Sequence, residues 1–429
     1  MKSLQLTEYI NSGALDATFL RLYGESAIVL QRRRYTELIG EFCKNYDKNG
    51  ERELYLLSVA GRSELSGNHT DHNHGKVIAA SIDLDIIAVA AKSECSVVRL
   101  KSAGFNENCV DTGEYLSPVE SKYTSSDSLI AGMFASFRQK GYAVGAFDAC
   151  TTSSVLKGSG LSSSAAFEDM VGNILNHLYN DGNISNIEIA KSAQYAENVF
   201  FGKPCGLMDQ MACAVGGIIA IDFEDPSAPV IEKIDFDISA KGYNLCIVDT
   251  GGNHADLGED YASIPTEMKS VAAFFGKEYV RQLSIDEIYG SLASLREAVG
   301  DRAILRALHF LGENERVDAQ KAALLDGRLD DYFAGVIASG RSSFCYLQNV
   351  YTNKNVSEQG LSLAICLAEK YLSGKKGAFR VHGGGFAGTI QAYVAHSDVE
   401  GFRALMDSVF GEGACMVLSI RLDGAVRIL

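Results

Sequence analysis

Apolar and polar positions change period repeatedly along the chain, which predicts a mixture of helices and strands. Residues 1–52 read as charged helix, with Leu38, Ile39 and Phe42 on one side, an Arg32-Arg33-Arg34 run, and a turn at Lys48-Asn49-Gly50. An apolar run at 54–59 predicts a strand, 61–75 a polar loop, and 77–91 a long strand, so polar chemistry is set between two strands. Leu129, Ile130, Met133, Phe134 and Phe137 recur at helical spacing within 126–140, where Ser126 or Asp127 can cap the first turn. A strand at 147–155 enters a glycine- and serine-rich loop at 156–166, and a helix follows to about residue 179.

Helices are also predicted at 187–201, closed by Gly202-Lys203-Pro204, and from Gly206 onward. Pro226 and Pro229 mark a hinge. Beyond it, strands such as 244–249 alternate with helices such as 303–312 and 358–372, and the chain closes with strand, helix and strand over 378–420. No internal repeat or low-complexity tract interrupts this order. At 429 residues the chain exceeds one average domain, so two packed domains are expected.

With 47% hydrophobic and 22% charged residues the chain can bury a full core. Its net charge of -15 argues against a nucleic-acid surface and against docking on an anionic membrane. An anionic ligand would have to be held locally, by backbone N–H groups, a few cations and a metal ion. Ten cysteines are scattered without a CxxC unit, which points to reduced thiols. The polar first residues do not read as a signal peptide, and the apolar run at 86–91 is too short to span a bilayer, so a cytoplasmic protein is expected.

The sharpest chemical signal is Gly158-Ser159-Gly160-Leu161-Ser162-Ser163-Ser164, a glycine loop between strand and helix. Glycines let backbone wrap phosphates, the helix start presents unpaired N–H donors, and the serines add hydroxyls for phosphate or Mg2+. The order is neither GxxxxGK[ST] nor GxGxxG. Phosphoryl transfer also needs a group that orients or deprotonates the acceptor hydroxyl and a cation that stabilises moving charge; Asp209 and Arg62 suit these roles. Within His69-Thr70-Asp71-His72-Asn73-His74, three imidazoles and a carboxylate could instead ligate zinc, the pattern of a metallohydrolase, or bond sugar hydroxyls. A last glycine block, Gly383-Gly384-Gly385-Phe386-Ala387-Gly388, implies close backbone approach to a ligand or to another loop.

These blocks, in this order, resemble those of the GHMP small-molecule kinases, and in detail those of the galactokinases, over nearly the whole chain from Leu54. Where galactokinases read roughly PGRVNLIGEHTDYNGG, residues 60–75 read AGRSELSGNHTDHNHG, with Ala60, Asn68 and His72 departing from the pattern. GLSSSAA stands at 160–166, PCGLMDQ at 204–210 is similar to PCGIMDQ, and 383–388 is similar to GGGFGG. Residues 253–261 and 306–316 are similar to two further family segments, RHSLASSEY and RAxHxxxENxR.

The resemblance implies an α+β, two-domain GHMP kinase fold, with domains 1–223 and 224–429 and the active site in the cleft between them. It implies ATP-dependent phosphorylation of galactose at the C1 hydroxyl, with ATP and Mg2+ as cofactors and a monomer or weak homo-oligomer acting on a small sugar. By the same carry-over Asp209 is the catalytic carboxylate with Arg62 beside it, and Asn68, His69, Asp71, Gly206 and Tyr261 bind the sugar. The loop from Gly158 to Ser164 cradles the phosphates, and Ser164 and Glu197 hold Mg2+. An amide at 68, with donor and acceptor but no charge, also permits another acceptor such as N-acetylgalactosamine or arabinose. A non-catalytic sugar sensor on the same fold is the further alternative.

Overall fold

The computed structural model describes residues 1–113, 117–155, 160–203, 205–252 and 257–429. Its first sheet grows from two long antiparallel strands, β1 (Tyr55–Ser66) and β2 (Lys76–Lys92). β3 (Val97–Ser102), β4 (Glu107–Asp111) and β5 (Phe147–Ser153) extend it on one side of β2, while β6 (Ile218–Asp222) pairs with the other end of β2 and carries β7 (Val230–Ile234). The second sheet holds β8 (Tyr243–Asp249), β9 (Gly377–His382), β10 (Thr389–Ala395) and β11 (Cys415–Leu418) in the order β11-β8-β10-β9. The chain then returns through β12 (Ala425–Arg427), which pairs with β1. Pro226 and Pro229 therefore lie in the turn of the β6–β7 hairpin and not at a hinge: pairing with the first sheet continues to Ile234, past the expected boundary at 224.

The first sheet is apolar on both faces because both are covered. Leu57, Val59, Ile86, Ala88 and Ala90 pack against helices Ser126–Gln139 and Ser163–Tyr179, while the alternate positions Leu56, Ile87, Val89 and Ala91 face the other way. Helices Ser3–Asn11, Asp16–Tyr23 and Ile28–Tyr46 cover that second face with Leu6, Phe19, Tyr35 and Phe42. The opening region, which has no counterpart in the motifs, is thus half of a core. Its polar anchor is Asp85 on β2, fully buried, which accepts from Tyr23 Oη at 2.5 Å, Arg34 Nη1 at 2.5 Å, Arg421 Nη1 at 3.2 Å and the Ser58 hydroxyl. Burial alone would raise the Asp85 pKa, but Arg34 and Arg421 hold it below its ordinary value.

Removing residues 1–46 would bare Leu56, Ile87 and Val89, each worth about 1.5–3 kcal/mol when buried, and strip Asp85 of two partners. The truncated chain is expected to lose soluble expression, checked by soluble yield and gel filtration beside the full chain. The two sheets meet through one apolar cluster in which Leu65, Ile78, Ala80 and Ile82 of the first contact Leu245, Ile247, Tyr393 and Ala378 of the second. Among the described residues no helix is long and apolar enough to cross a membrane.

Candidate active site

β1 does not end where the apolar run does. It continues to Ser66 through two register shifts, so Arg62, expected in a loop, stands on a strand with 6% exposure. Strand geometry survives there because the inward charges find partners: Arg62 Nε lies 2.7 Å from Asp209 Oδ1, and Arg62 Nη1 donates to the Gly160 carbonyl. Gly61 has no Cβ because one would press on the Leu161 carbonyl at 3.1 Å and on Val155 at 3.0 Å.

Asp209 sits in the first turn of helix Met208–Val215, where the helix dipole favours an anion. Its second oxygen accepts from the Ser162 hydroxyl. Burial would raise the Asp209 pKa, but the Arg62 guanidinium, the Ser162 hydrogen bond and Lys203 together hold it below the usual carboxylate range. Ser162 adopts a left-handed φ of 59° directly before helix Ser163–Tyr179, and Gly160 a φ of 71°. The Gly160–Ser164 backbone thereby curls around a helix start whose first N–H donors carry no side-chain cap among the described residues. Gly158 and Ser159 of the expected phosphate loop lie outside the described residues. Ser163 and Ser164 are half-buried at this helix start, and Leu161 is fully buried beneath it.

Glu197 lies in the wide helical turn Ala196–Phe201, almost fully buried, with Oε1 on Lys203 Nζ at 2.9 Å and Oε2 on Gln210 Nε2 at 2.7 Å and the Cys205 thiol at 3.1 Å. Gln210 Nε2 also reaches Glu168 at 3.2 Å. Burial and the neighbouring Glu197 push the Glu168 carboxyl well up, which favours its neutral form.

On the sugar side of the reading, Asp71 and Gly206 meet. A Cβ at Gly206 would stand 2.0 Å from Asp71 Oδ2, so only glycine permits this approach. Burial, reinforced by the charge of Asp209, pushes Asp71 up to about 6. Tyr261, on helix Gly258–Phe274, donates from Oη to the Gly385 carbonyl at 2.9 Å and packs edge-on against Phe386. The last glycine block therefore approaches Tyr261 and the 67–75 loop, and its flank, His382 with Thr389, abuts the phosphate loop at Gly160.

The histidine cluster resolves into a hydrogen-bond chain. His69 Nε2 lies 2.8 Å from the Gly384 carbonyl, which can only accept, so that nitrogen carries the proton. His69 Nδ1 then accepts from His72 Nε2 at 3.1 Å, and His72 Nδ1 accepts from Asn73 Nδ2 at 2.8 Å. Burial pushes His69 down to about 3 and His72 to about 4, so both rings are neutral at pH 7 with every nitrogen committed. His74 turns away to stack on Tyr279. The zinc alternative has no ligand set: among the described residues no three His, Cys, Asp or Glu side chains gather to hold a metal.

Asn68, expected at the sugar, is fully buried and faces the seam between the sheets. Its amide donates to Glu64 Oε1 at 3.1 Å and to the Gly383 carbonyl at 2.6 Å, and accepts from Asn349 at 2.8 Å and Ser343 at 3.2 Å. Arg380 closes the group by pairing with Glu64 at 2.9 Å. Sequence reasoning missed Glu64, Arg380, His382 and Lys203; Arg380 and His382 stand immediately before the last glycine block, the one signal that could have drawn attention to them.

Comparison with known proteins draws on the same segments. The family described as GHMP kinases N terminal domain matches residues 128–217, which hold the phosphate loop, Glu197 and Asp209. The galactokinase galactose-binding signature matches residues 40–92, which hold Arg62 to Asp71. A galactokinase of Streptomyces coelicolor is 30% identical over 371 residues, covering 84% of this chain and 91% of that one. The chain belongs to the galactokinase family. The fold agrees with solved structures: galactokinase of Lactococcus lactis complexed with galactose superposes with a TM-score of 0.75 at 24% identity, covering 90% of this chain and 98% of that one. A mevalonate kinase of Methanococcus jannaschii superposes with a TM-score of 0.59 at 13% identity, covering 87% and 99%. The α+β GHMP kinase architecture expected for a galactokinase family member is therefore the one present.

Proposed function

We propose that this protein transfers the γ-phosphoryl group of ATP to the C1 hydroxyl of galactose, giving galactose 1-phosphate and ADP. The observation that carries the reading is the Arg62–Asp209–Ser162 arrangement at the start of helix Ser163–Tyr179, beside the galactose-binding signature. In the reaction the sugar oxygen bonds the γ-phosphorus, the bond to the β,γ-bridging oxygen breaks, and the hydroxyl proton passes by way of the transferred phosphoryl oxygens to solvent. Asp209 accepts the hydroxyl hydrogen bond and aims the oxygen. With its pKa held down and both oxygens already bonded, it positions the nucleophile more than it stores the proton. Arg62 stabilises the charge that gathers on the transferred group, and the helix start supplies N–H donors to the phosphates.

Mg2+ suits the oxygen donors Ser164 and Glu197: in the structure a cation, the Lys203 ammonium, already stands on Glu197. Bound there, Mg2+ would neutralise phosphate charge. Cytoplasmic residence fits ten free thiols, and a monomer or weak oligomer acting only on sugar and nucleotide completes the reading.

Phosphorus NMR of the product from a sugar panel tests the reaction. Galactose 1-phosphate is expected, and a higher specificity constant for another sugar would displace galactose.

Asp71 adds a pH signature. Its ionised form is the better acceptor for sugar hydroxyls, so the sugar KM should rise about tenfold for each pH unit below about 6, and Asp71→Asn should flatten that limb. Because the folded-state value is raised, the stability contributed by this proton is full below the unfolded value and is lost as pH rises through about 6.

A further inference from the structure

Lys203 follows Gly202, whose φ of 78° ends the Ala196–Phe201 turn, and its backbone N–H returns to the Glu197 carbonyl at 3.1 Å. The ammonium is tied to Glu197 Oε1 while the side chain stays 60% exposed, so a solvent-facing stem ends on an almost fully buried carboxylate. Its charge also reaches Asp209. Arg62, by contrast, is buried and committed to Asp209 and Gly160, and has little freedom to follow a ligand.

This arrangement poses a conflict that only movement resolves. If Lys203 stayed on Glu197, a divalent ion would find its carboxylate occupied. If Lys203 were absent from the free enzyme, Glu197 would sit buried beside Glu168 with only Gln210 and the Cys205 thiol to hold it. A compact charge on a flexible four-carbon stem can serve both states.

Given the nucleotide reading above, we propose that Lys203 is an exchangeable counter-ion, holding Glu197 in the free enzyme and turning to the nucleotide phosphate oxygens when Mg2+ takes Glu197. Lys203 then contributes to phosphate binding directly, a role that neither the glycine loop nor the sugar signature marks.

Calorimetric titration of Mg2+ alone, and of ADP at saturating Mg2+, both without sugar, tests this on wild type, Lys203→Met and Lys203→Arg. At saturating Mg2+, where Lys203 is released from Glu197, Lys203→Met should weaken ADP binding roughly tenfold, the loss of one charge-assisted contact. Without nucleotide the same variant should need several-fold less Mg2+ for half-saturation, because the competitor for Glu197 is gone and no phosphate contact is lost with it. Lys203→Arg should restore ADP binding in part. The opposite signs identify exchange, since a merely structural role would weaken both affinities together. Joint weakening with a lowered melting temperature, or unchanged ADP affinity, overturns the proposal. A wild type that binds no ADP would instead overturn the kinase reading itself, whichever sugar is the acceptor.

Discussion

Asp209→Asn is expected to lower kcat by about 10²–10⁴-fold while the protein stays folded and binds ADP. The amide keeps the shape of the carboxylate. Its oxygen can face the Arg62 guanidinium, and its NH2 can face Ser162, whose hydroxyl turns from donor to acceptor. What disappears is the negative charge that, in the mechanism proposed above, draws the sugar hydroxyl into line. A second effect separates this from general damage: the charge of Asp209 is one of the two causes that raise Asp71. Without it the acid limb of the sugar KM should move below pH 6, toward the ordinary range of an aspartate. Steady-state kinetics across pH, with ADP titration as a check on binding, would measure both. A variant whose kcat stays within tenfold of wild type would remove Asp209 from its role.

The parts of this site that were legible in the sequence are those whose chemistry needs a fixed local pattern. Gly160 and Ser162 announce a curled loop before a helix, and Asp209 stands in a segment, 204–210, that few other constraints would produce. Arg62 could be named but not placed. Its strand reads as a loop because a buried arginine and glutamate break the apolar pattern, and their partners come from distant segments: Asp209 for Arg62, Arg380 for Glu64. His69 shows a related limit. Its two nitrogens are consumed by His72 and by the Gly384 carbonyl, 315 residues away, and no local pattern reports such a contact.

The fold divides in the same way. Helix and strand positions followed from period, and the run at 77–91 signalled the strand β2; that β2 is buried on both faces is what the structure adds. The cover for one of those faces was not foreseen. The helices Ser3–Asn11, Asp16–Tyr23 and Ile28–Tyr46 are amphipathic, but amphipathicity does not say which surface a helix seeks. Their docking is fixed by Tyr23 and Arg34 meeting Asp85, an aspartate in the middle of a strand that local reading treats as a polar interruption. The β6–β7 hairpin was misjudged because two prolines in a hairpin turn and two prolines in a linker look alike until strand pairing is known.

Asn68→Glu, which would restore the residue of the family signature, is expected to destabilise the protein by about 3–5 kcal/mol. The signature has asparagine where Glu64 stands and glutamate where Asn68 stands, so this chain carries both residue types in exchanged positions. The two side chains touch at 3.1 Å in a place without solvent. A glutamate at 68 would set a second carboxylate against Glu64 and the Gly383 carbonyl, losing the two bonds the amide now donates and bringing like charges together at low dielectric. It would also add a methylene where there is no free volume. The paired exchange Glu64→Asn with Asn68→Glu should recover at least half of the loss. It returns one amide and one carboxylate to the contact, and Arg380 Nη1, unpartnered among the described residues, can supply a donor. Urea unfolding midpoints of the wild type, both single variants and the double variant would give the coupling energy. Additive single effects would mean that Glu64 and Asn68 are independent; a double variant more stable than either single one would establish that the exchange is compensated within the seam that joins the two sheets.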